Sequence, residues 1–158
     1  MTEGKNKIIF IVNPKAGITP KSKVIIELLT GNIMPSARFI PEVVFTERAG
    51  HATELTKEAL AKGADIIVAL GGDGTINEVA CALVGTDIPL GILPSGSGNG
   101  LARCLGISMN YVFALRTIIR GNTKLMDVAY VNDQMFTSIA GIVFDAFVAQ
   151  KFAEASIR

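Results

Sequence analysis

Tryptophan is absent from the 158 residues, and histidine occurs once, as His51. That residue is expected at an exposed helix start, so catalytic triads and histidine-rich metal sites lack their usual material. Only two cysteines are present, Cys81 and Cys104. They are far apart and form no C-x-x-C pair, so they read as buried, reduced thiols of a cytosolic protein. No apolar run reaches the roughly 18 to 20 residues that span a bilayer, and the N-terminal run is too short for a signal peptide. The chain therefore reads as not transmembrane. Net charge is only +1 with lysine and arginine spread along the chain, which speaks against a nucleic-acid partner. There is no internal repeat and no low-complexity segment.

What is present is the composition of one folded domain, 49% hydrophobic and 18% charged. Strand-like and helix-like runs alternate. "IIFIV" (Ile8–Val12) reads as a buried parallel strand ended by Asn13-Pro14. A helix is expected from about Pro20 to Gly31. A second strand follows at Glu42–Thr46, and then a helix over "HATELTKEALAKG" with Leu55, Ala59 and Leu60 on one face and Gly63 as its stop. Asp65–Leu70 is a third strand, with a helix over about Thr75–Val84. Pro89–Leu93 is a fourth strand, followed by a short helix at "LARCLG" and a longer one at Tyr111–Arg120. The expected fold class is α/β, a mainly parallel sheet flanked by helices.

The pattern changes after Asn122. "KLMDVAYV", Asn132-Asp133 and "QMFTSIA" read as two strands and a two-residue turn, a β-hairpin. A helix is expected over Phe144–Arg158. The division expected is a nucleotide-binding α/β domain over 1–121, with 122–158 as the start of a truncated β-rich domain. The unpaired hairpin is expected to be a sticky edge, which favours a homo-oligomer.

Three loops leave strands on the same expected edge: "NPKAG" (Asn13–Gly17), "GGDGT" (Gly71–Thr75) and "PSGSGNG" (Pro94–Gly100). Glycine serves ordinary turns, but three such loops at the carboxyl ends of parallel strands read as one composite phosphate site. A Walker A loop is excluded, because no lysine stands where it is required. The dinucleotide pattern fails as well, since Asn77 occupies the third glycine position after Gly72 and Gly74. Thr75-Ile76-Asn77-Glu78 fits a capping box at a helix start, which would give Glu78 a structural role on its own helix. Asn77 is then expected to face the site, and Arg103 to be solvated.

"NPKAG", "GGDGTINE" and "PSGSGN", in this order, resemble the catalytic domain of diacylglycerol kinases and sphingosine-type lipid kinases. The resemblance covers nearly the whole chain, including the hairpin at Asp127 and "FDA" at Phe144–Ala146. GGDGT alone marks only the wider superfamily that includes NAD kinases and phosphofructokinases. The resemblance implies the NAD kinase/diacylglycerol kinase-like fold, in which nucleotide lies across these loops. ATP would then contact Asn13, Pro14, Lys15, Ala16, Gly17, Thr46, Gly71, Gly72, Asp73, Gly74, Thr75, Ile76, Asn77 and Ser97. Bacterial members commonly read GT-x-N-D where this chain has Gly96-Ser97-Gly98-Asn99-Gly100, so the family's aspartate is replaced by Gly100.

The activity implied is transfer of the γ-phosphoryl group of ATP, with Mg²⁺, to a lipid hydroxyl of diacylglycerol or sphingoid type. Asp73 is the catalytic candidate, serving either the metal or the proton of the attacking hydroxyl. The resemblance assigns no metal ligand within the chain, because the family's magnesium site and proposed base lie in the second domain. The chain is accordingly expected to be a fragment of a longer kinase, weak in nucleotide binding and without turnover by itself. The partner implied is a lipid at a membrane surface, with a cytoplasmic location and a peripheral place at the inner membrane face. The competing readings are a NAD-kinase-like enzyme and a non-catalytic nucleotide-binding module.

Overall fold

The computed structural model describes residues 4–17, 34, 38–138 and 151. Their elements are β1 (Asn6–Val12), β2 (Phe39–Phe45), α1 (His51–Ala61), β3 (Ile66–Gly71), α2 (Asp73–Leu83), β4 (Leu90–Pro94), α3 (Gly100–Cys104), α4 (Tyr111–Arg120), β5 (Ala129–Val131) and β6 (Gln134–Phe136). The first four strands form one parallel sheet in the order β2-β1-β3-β4.

The unbroken apolar run of β1 has a simple cause. Side chains alternate across a strand, and a strand with helices on both faces needs apolar residues at every position. Ile9 and Ile11 join Ala52 of α1, Ile76 and Val79 of α2 and Ala102 of α3 on one face. Ile8, Phe10 and Val12 join Leu93 of β4 and Ala114 and Leu115 of α4 on the other. Each such side chain contributes about 1.5–3 kcal/mol when fully buried. Removing the ring of Phe10, which is 0% exposed, would cost about 3–5 kcal/mol. Against β4 the approach is close: a Cβ on Gly91 would lie 2.9 Å from Cδ1 of Ile118 in α4.

The pairing register sets Val12 beside Phe45 and Leu70, and Gly71 beside Pro94. The carboxyl ends of all four strands therefore share one edge. Strand order reverses at β1, with β2 on one side and β3 on the other, which is where open parallel sheets leave a crevice.

Several boundaries move from their sequence positions. β2 begins at Phe39 rather than Glu42, because its pairing with β1 starts at Asn6 and Phe39. α2 begins at Asp73 rather than Thr75, since Ile76 already donates its N–H to Gly72 O at 3.1 Å. Thr75 thus lies inside the first turn and caps nothing. α4 spans the expected Tyr111–Arg120: Asn110 Oδ1 accepts the Val112 N–H at 2.9 Å, and Gly121 leaves the helix at φ +73°. The cysteines are both free and both exposed, contrary to expectation, as they sit on helix positions turned away from the sheet. The expected helix at 20–31 lies outside the described residues, and so does that at 144–158, with Phe144–Ala146, apart from Lys151, which is helical and exposed.

The chain divides into two compact units, Met1–Met126 and Asp127–Arg158. In the second, β5 and β6 form an antiparallel hairpin of three residues per strand, shorter than the sequence runs suggest. Asn132 (φ +45°) and Asp133 (φ +64°) turn it, the doubly positive conformation of a type I′ turn. Among the described residues, no helix is long and apolar enough to cross a membrane.

Candidate functional site

The loops after β1, β3 and β4 are tied to one another by short-range contacts. Asn13 organises the first. Its Oδ1 accepts the Lys15 N–H at 2.9 Å, an Asx turn, while its Nδ2 donates to Thr75 Oγ1 at 3.1 Å. One asparagine therefore shapes its own loop and pins it to the first turn of α2. The loop then closes against the one after β4. Ser95 Oγ donates to Ala16 O at 3.2 Å, and a Cβ on Gly17 (φ +68°) would run into the Ser95 carbonyl oxygen. Glycine is required there twice over, by conformation and by space.

The second and third loops meet backbone to backbone. Ser95 donates its N–H to Gly71 O at 2.8 Å, and a Cβ on Gly96 would stand 2.6 Å from Gly72 Cα. Asn99 holds the third loop in shape from inside. It is 5% exposed, has left-handed backbone (φ +54°), accepts the Gly96 N–H at 2.8 Å and donates to Gly96 O at 2.7 Å. Arg103 is exposed, as expected, but it is also tethered: Nε donates to Gly98 O at 2.9 Å.

Asp73 stands at the first position of α2, after the extended N-cap Gly72. A carboxylate there is favoured by the helix dipole, by about 0.3–1 kcal/mol. Its Oδ1 accepts the Leu101 N–H at 3.3 Å, and a Cβ on Gly98 would lie 3.1 Å from Oδ2. The side chain itself is exposed. Asp73 thus has a role in the fold, joining the start of α2 to the loop before α3, and still faces solvent.

The remaining sequence candidates divide clearly. Pro14, Lys15, Gly17 and Ser97 are exposed on the loops and Gly74 in the first turn of α2, with no atom within 4 Å of the Cβ position of Gly74. Asn13, Gly72 and Asn77 are half-buried. Thr46 is buried beside the first loop, donating its N–H to Val12 O at 2.8 Å. Ala16, Gly71 and Thr75 are buried, and a Cβ on Gly71 would strike the Thr75 side chain. Ile76 is 0% exposed in the core and its N–H is already bonded, so its side chain offers nothing to a ligand.

Glu78 corrects the capping-box reading. Its Oε1 accepts the Gly50 N–H at 2.9 Å and its Oε2 the Ala52 N–H at 3.1 Å. It caps the start of α1, whose own N-cap, Gly50, has no side chain to do so. Thr53 Oγ1 returns a bond to Glu78 O at 2.9 Å. Sequence spacing could not show this, because the partner helix is remote along the chain. Ser95 and Asn99, not Ser97, make the contacts that shape the third loop, although all three lie in "PSGSGN".

The first helical bond of α2 starts at Ile76, so the N–H groups of Asp73, Gly74 and Thr75 have no acceptor within the helix. Donors at a helix start, beside glycines whose Cβ positions are blocked, suit a phosphate. Among the described residues no group of three or more His, Cys, Asp or Glu could hold a metal. A magnesium ion held by one carboxylate and by phosphate oxygens needs no such group, so Asp73 fits it.

Comparison with known proteins agrees with these loops. The family model described as the diacylglycerol kinase catalytic domain matches residues 7–131. The Synechocystis protein sll0036 is 38% identical over 157 residues, covering 94% of this chain and 36% of that protein. A diacylglycerol kinase of Bacillus subtilis is 44% identical over 99 residues, 61% of this chain and 33% of the enzyme. A crystal structure of a diacylglycerol kinase from Bacillus anthracis superposes with a TM-score of 0.70 at 31% identity, covering 83% of this chain and 48% of that one. The chain therefore spans about a third of the length of these curated relatives. With the three loops joined at one sheet edge and the family model spanning residues 7–131, the chain belongs to the diacylglycerol kinase catalytic domain family.

Proposed function

We propose that these residues form the nucleotide-binding part of a lipid kinase, which transfers the γ-phosphoryl group of ATP to a lipid hydroxyl. The observation that carries this reading is the joining of three glycine loops at the start of α2, with Gly17 and Gly96 each in a close backbone contact that a side chain would break. ATP with Mg²⁺ supplies the phosphoryl group and the cation that offsets its charge.

The chain's own contribution is positional. The N–H groups of Asp73, Gly74 and Thr75 bind phosphate oxygens, while Ser95 and Asn99 keep the third loop closed against the first two. Asp73 is the catalytic residue, through one of two roles. Its Oδ2 either takes the proton of the attacking hydroxyl or helps to hold the cation. The acceptor is a diacylglycerol or a sphingoid-type alcohol, and the enzyme works where such lipids reside.

The test is transfer of radiolabel from ATP by the native-length protein, into chloroform-extractable lipid or into NAD. Label in lipid supports the proposal; label in NAD alone sinks it. Asp73→Asn then separates the two roles. Weakened metal-dependent nucleotide binding assigns the cation, and intact binding with lost turnover assigns the proton. Unchanged turnover would remove Asp73 from the chemistry.

A further inference from the structure

Between Asp87 and Asp127 the chain carries no aspartate or glutamate, but it carries Arg103, Arg116, Arg120 and Lys124. The overall charge of +1 hides this asymmetry. α4 carries two of these cations, Arg116 and Arg120, on one face. Ala114 and Leu115 are buried against the sheet, and Ile118 packs over Gly91. Phe113, Arg116, Thr117 and Arg120, at helical spacing, are exposed on the opposite side.

That face is basic and apolar together. Phe113 is 56% exposed, with the Arg116 guanidinium 5.7 Å from its ring centre. Leu105 and Met109 before the helix, and Leu125 and Met126 after it, are exposed as well. Isolated exposed apolar residues are ordinary, but five large ones in a segment with four cations and no carboxylate are not.

We propose that the outer face of α4 and its flanks dock on an anionic bilayer surface. Phe113 and the neighbouring leucine and methionine side chains enter the interface, and Arg116 and Arg120 lie on the lipid headgroups. Charge complementarity selects an anionic partner. The large aliphatic side chains favour a bilayer over a nucleic acid, whose backbone offers them nothing to enter. The inference deepens the lipid-kinase reading, on which its meaning for catalysis rests, although docking itself is measured without turnover.

The experiment is sedimentation of the native-length protein with vesicles of phosphatidylcholine, alone or with about one phosphatidylserine in three lipids. Binding is expected only with phosphatidylserine, and it should fall as salt rises. Arg116→Gln/Arg120→Gln should weaken it about 25-fold, taking about fivefold for each cation. Phe113→Ser should weaken it several-fold, with thermal unfolding unchanged in either variant. Equal binding to neutral vesicles, no binding at all, or unaltered binding by both variants overturns the inference. So does a preference for single-stranded RNA over vesicles that the same variants abolish. Phosphorylation of detergent-dispersed lipid reads the kinase assignment separately. If it occurs without vesicle binding, only the docking inference falls; if vesicles bind but no lipid is phosphorylated, only the kinase reading falls.

Discussion

Removing the Glu78 side chain should loosen α1 rather than the helix that carries Glu78. In Glu78→Ala, the Gly50 and Ala52 N–H groups lose carboxylate acceptors at 2.9 and 3.1 Å. Loss of a helix cap costs about 0.5–2 kcal/mol, and loss of the charge beside the helix start adds about 0.3–1 kcal/mol. Gly50 is exposed, so water replaces part of what is removed. The expected net loss is about 1–3 kcal/mol, a fall in melting temperature of roughly 2–12 °C for a chain of this size. Glu78→Gln keeps one oxygen acceptor and loses the charge, so it should fall between the two. Thermal and urea unfolding measure both variants. A double-mutant cycle with Thr75→Ala gives the sharper result. Thr75 Oγ1 is bonded to Asn13, so the two substitutions should add within about 0.5 kcal/mol. Strong coupling between them, or a Glu78→Ala protein as stable as its parent, would refute the cross-helix cap.

The loop contacts carry further expectations. Gly17→Ala must displace the first loop from Ser95, so turnover by the native-length protein should drop by roughly a hundredfold, as misplacement of about 1 Å commonly costs. Gly74→Ala has open space around its Cβ and should fold normally while weakening ATP binding; unaltered binding would remove the start of α2 from the phosphate site. At Asn99 the left-handed backbone predicts that Asn99→Gly is more stable than Asn99→Ala by about 1 kcal/mol, measured by urea unfolding, and equal stability would contradict that conformation. Arg48 donates to both Glu54 oxygens, at 2.8 and 2.6 Å, and this bonding holds the Glu54 carboxyl below its ordinary value. A depressed carboxyl stabilises the fold above its unfolded pKa and loses that contribution as pH falls through its folded one. In a carbon-13 titration Glu54 should therefore protonate at lower pH than in the Arg48→Ala variant, with no difference counting against the pair.

The sheet was legible because its cause is local. Ile8–Val12 is apolar on both faces, and only a doubly covered strand requires that. The end of α4 was legible because its stop signal, Gly121, follows it directly. The three loops were legible as glycine clusters at strand ends. What sequence could not show were interactions between distant segments. Glu78 looked like the end of a capping box, and its acceptors belong to another helix. α2 starts at Asp73 because Gly72, still extended, is its N-cap and accepts the Ile76 N–H, a start that T-x-x-E spacing conceals. The cysteines depart from the buried state usual for their type because the helix face that each occupies decides exposure. Ile76 belongs to the motif by position and to the core by orientation.

The central claim, that the loops after β1, β3 and β4 form one nucleotide-phosphate site, is tested most directly by following backbone amide resonances as Mg-ATP is added. Saturable shifts are expected, even at weak affinity, concentrated at residues 13–17, 72–75 and 95–99, and absent from the outer face of α4. Shifts lying elsewhere while those loops stay unmoved would contradict it.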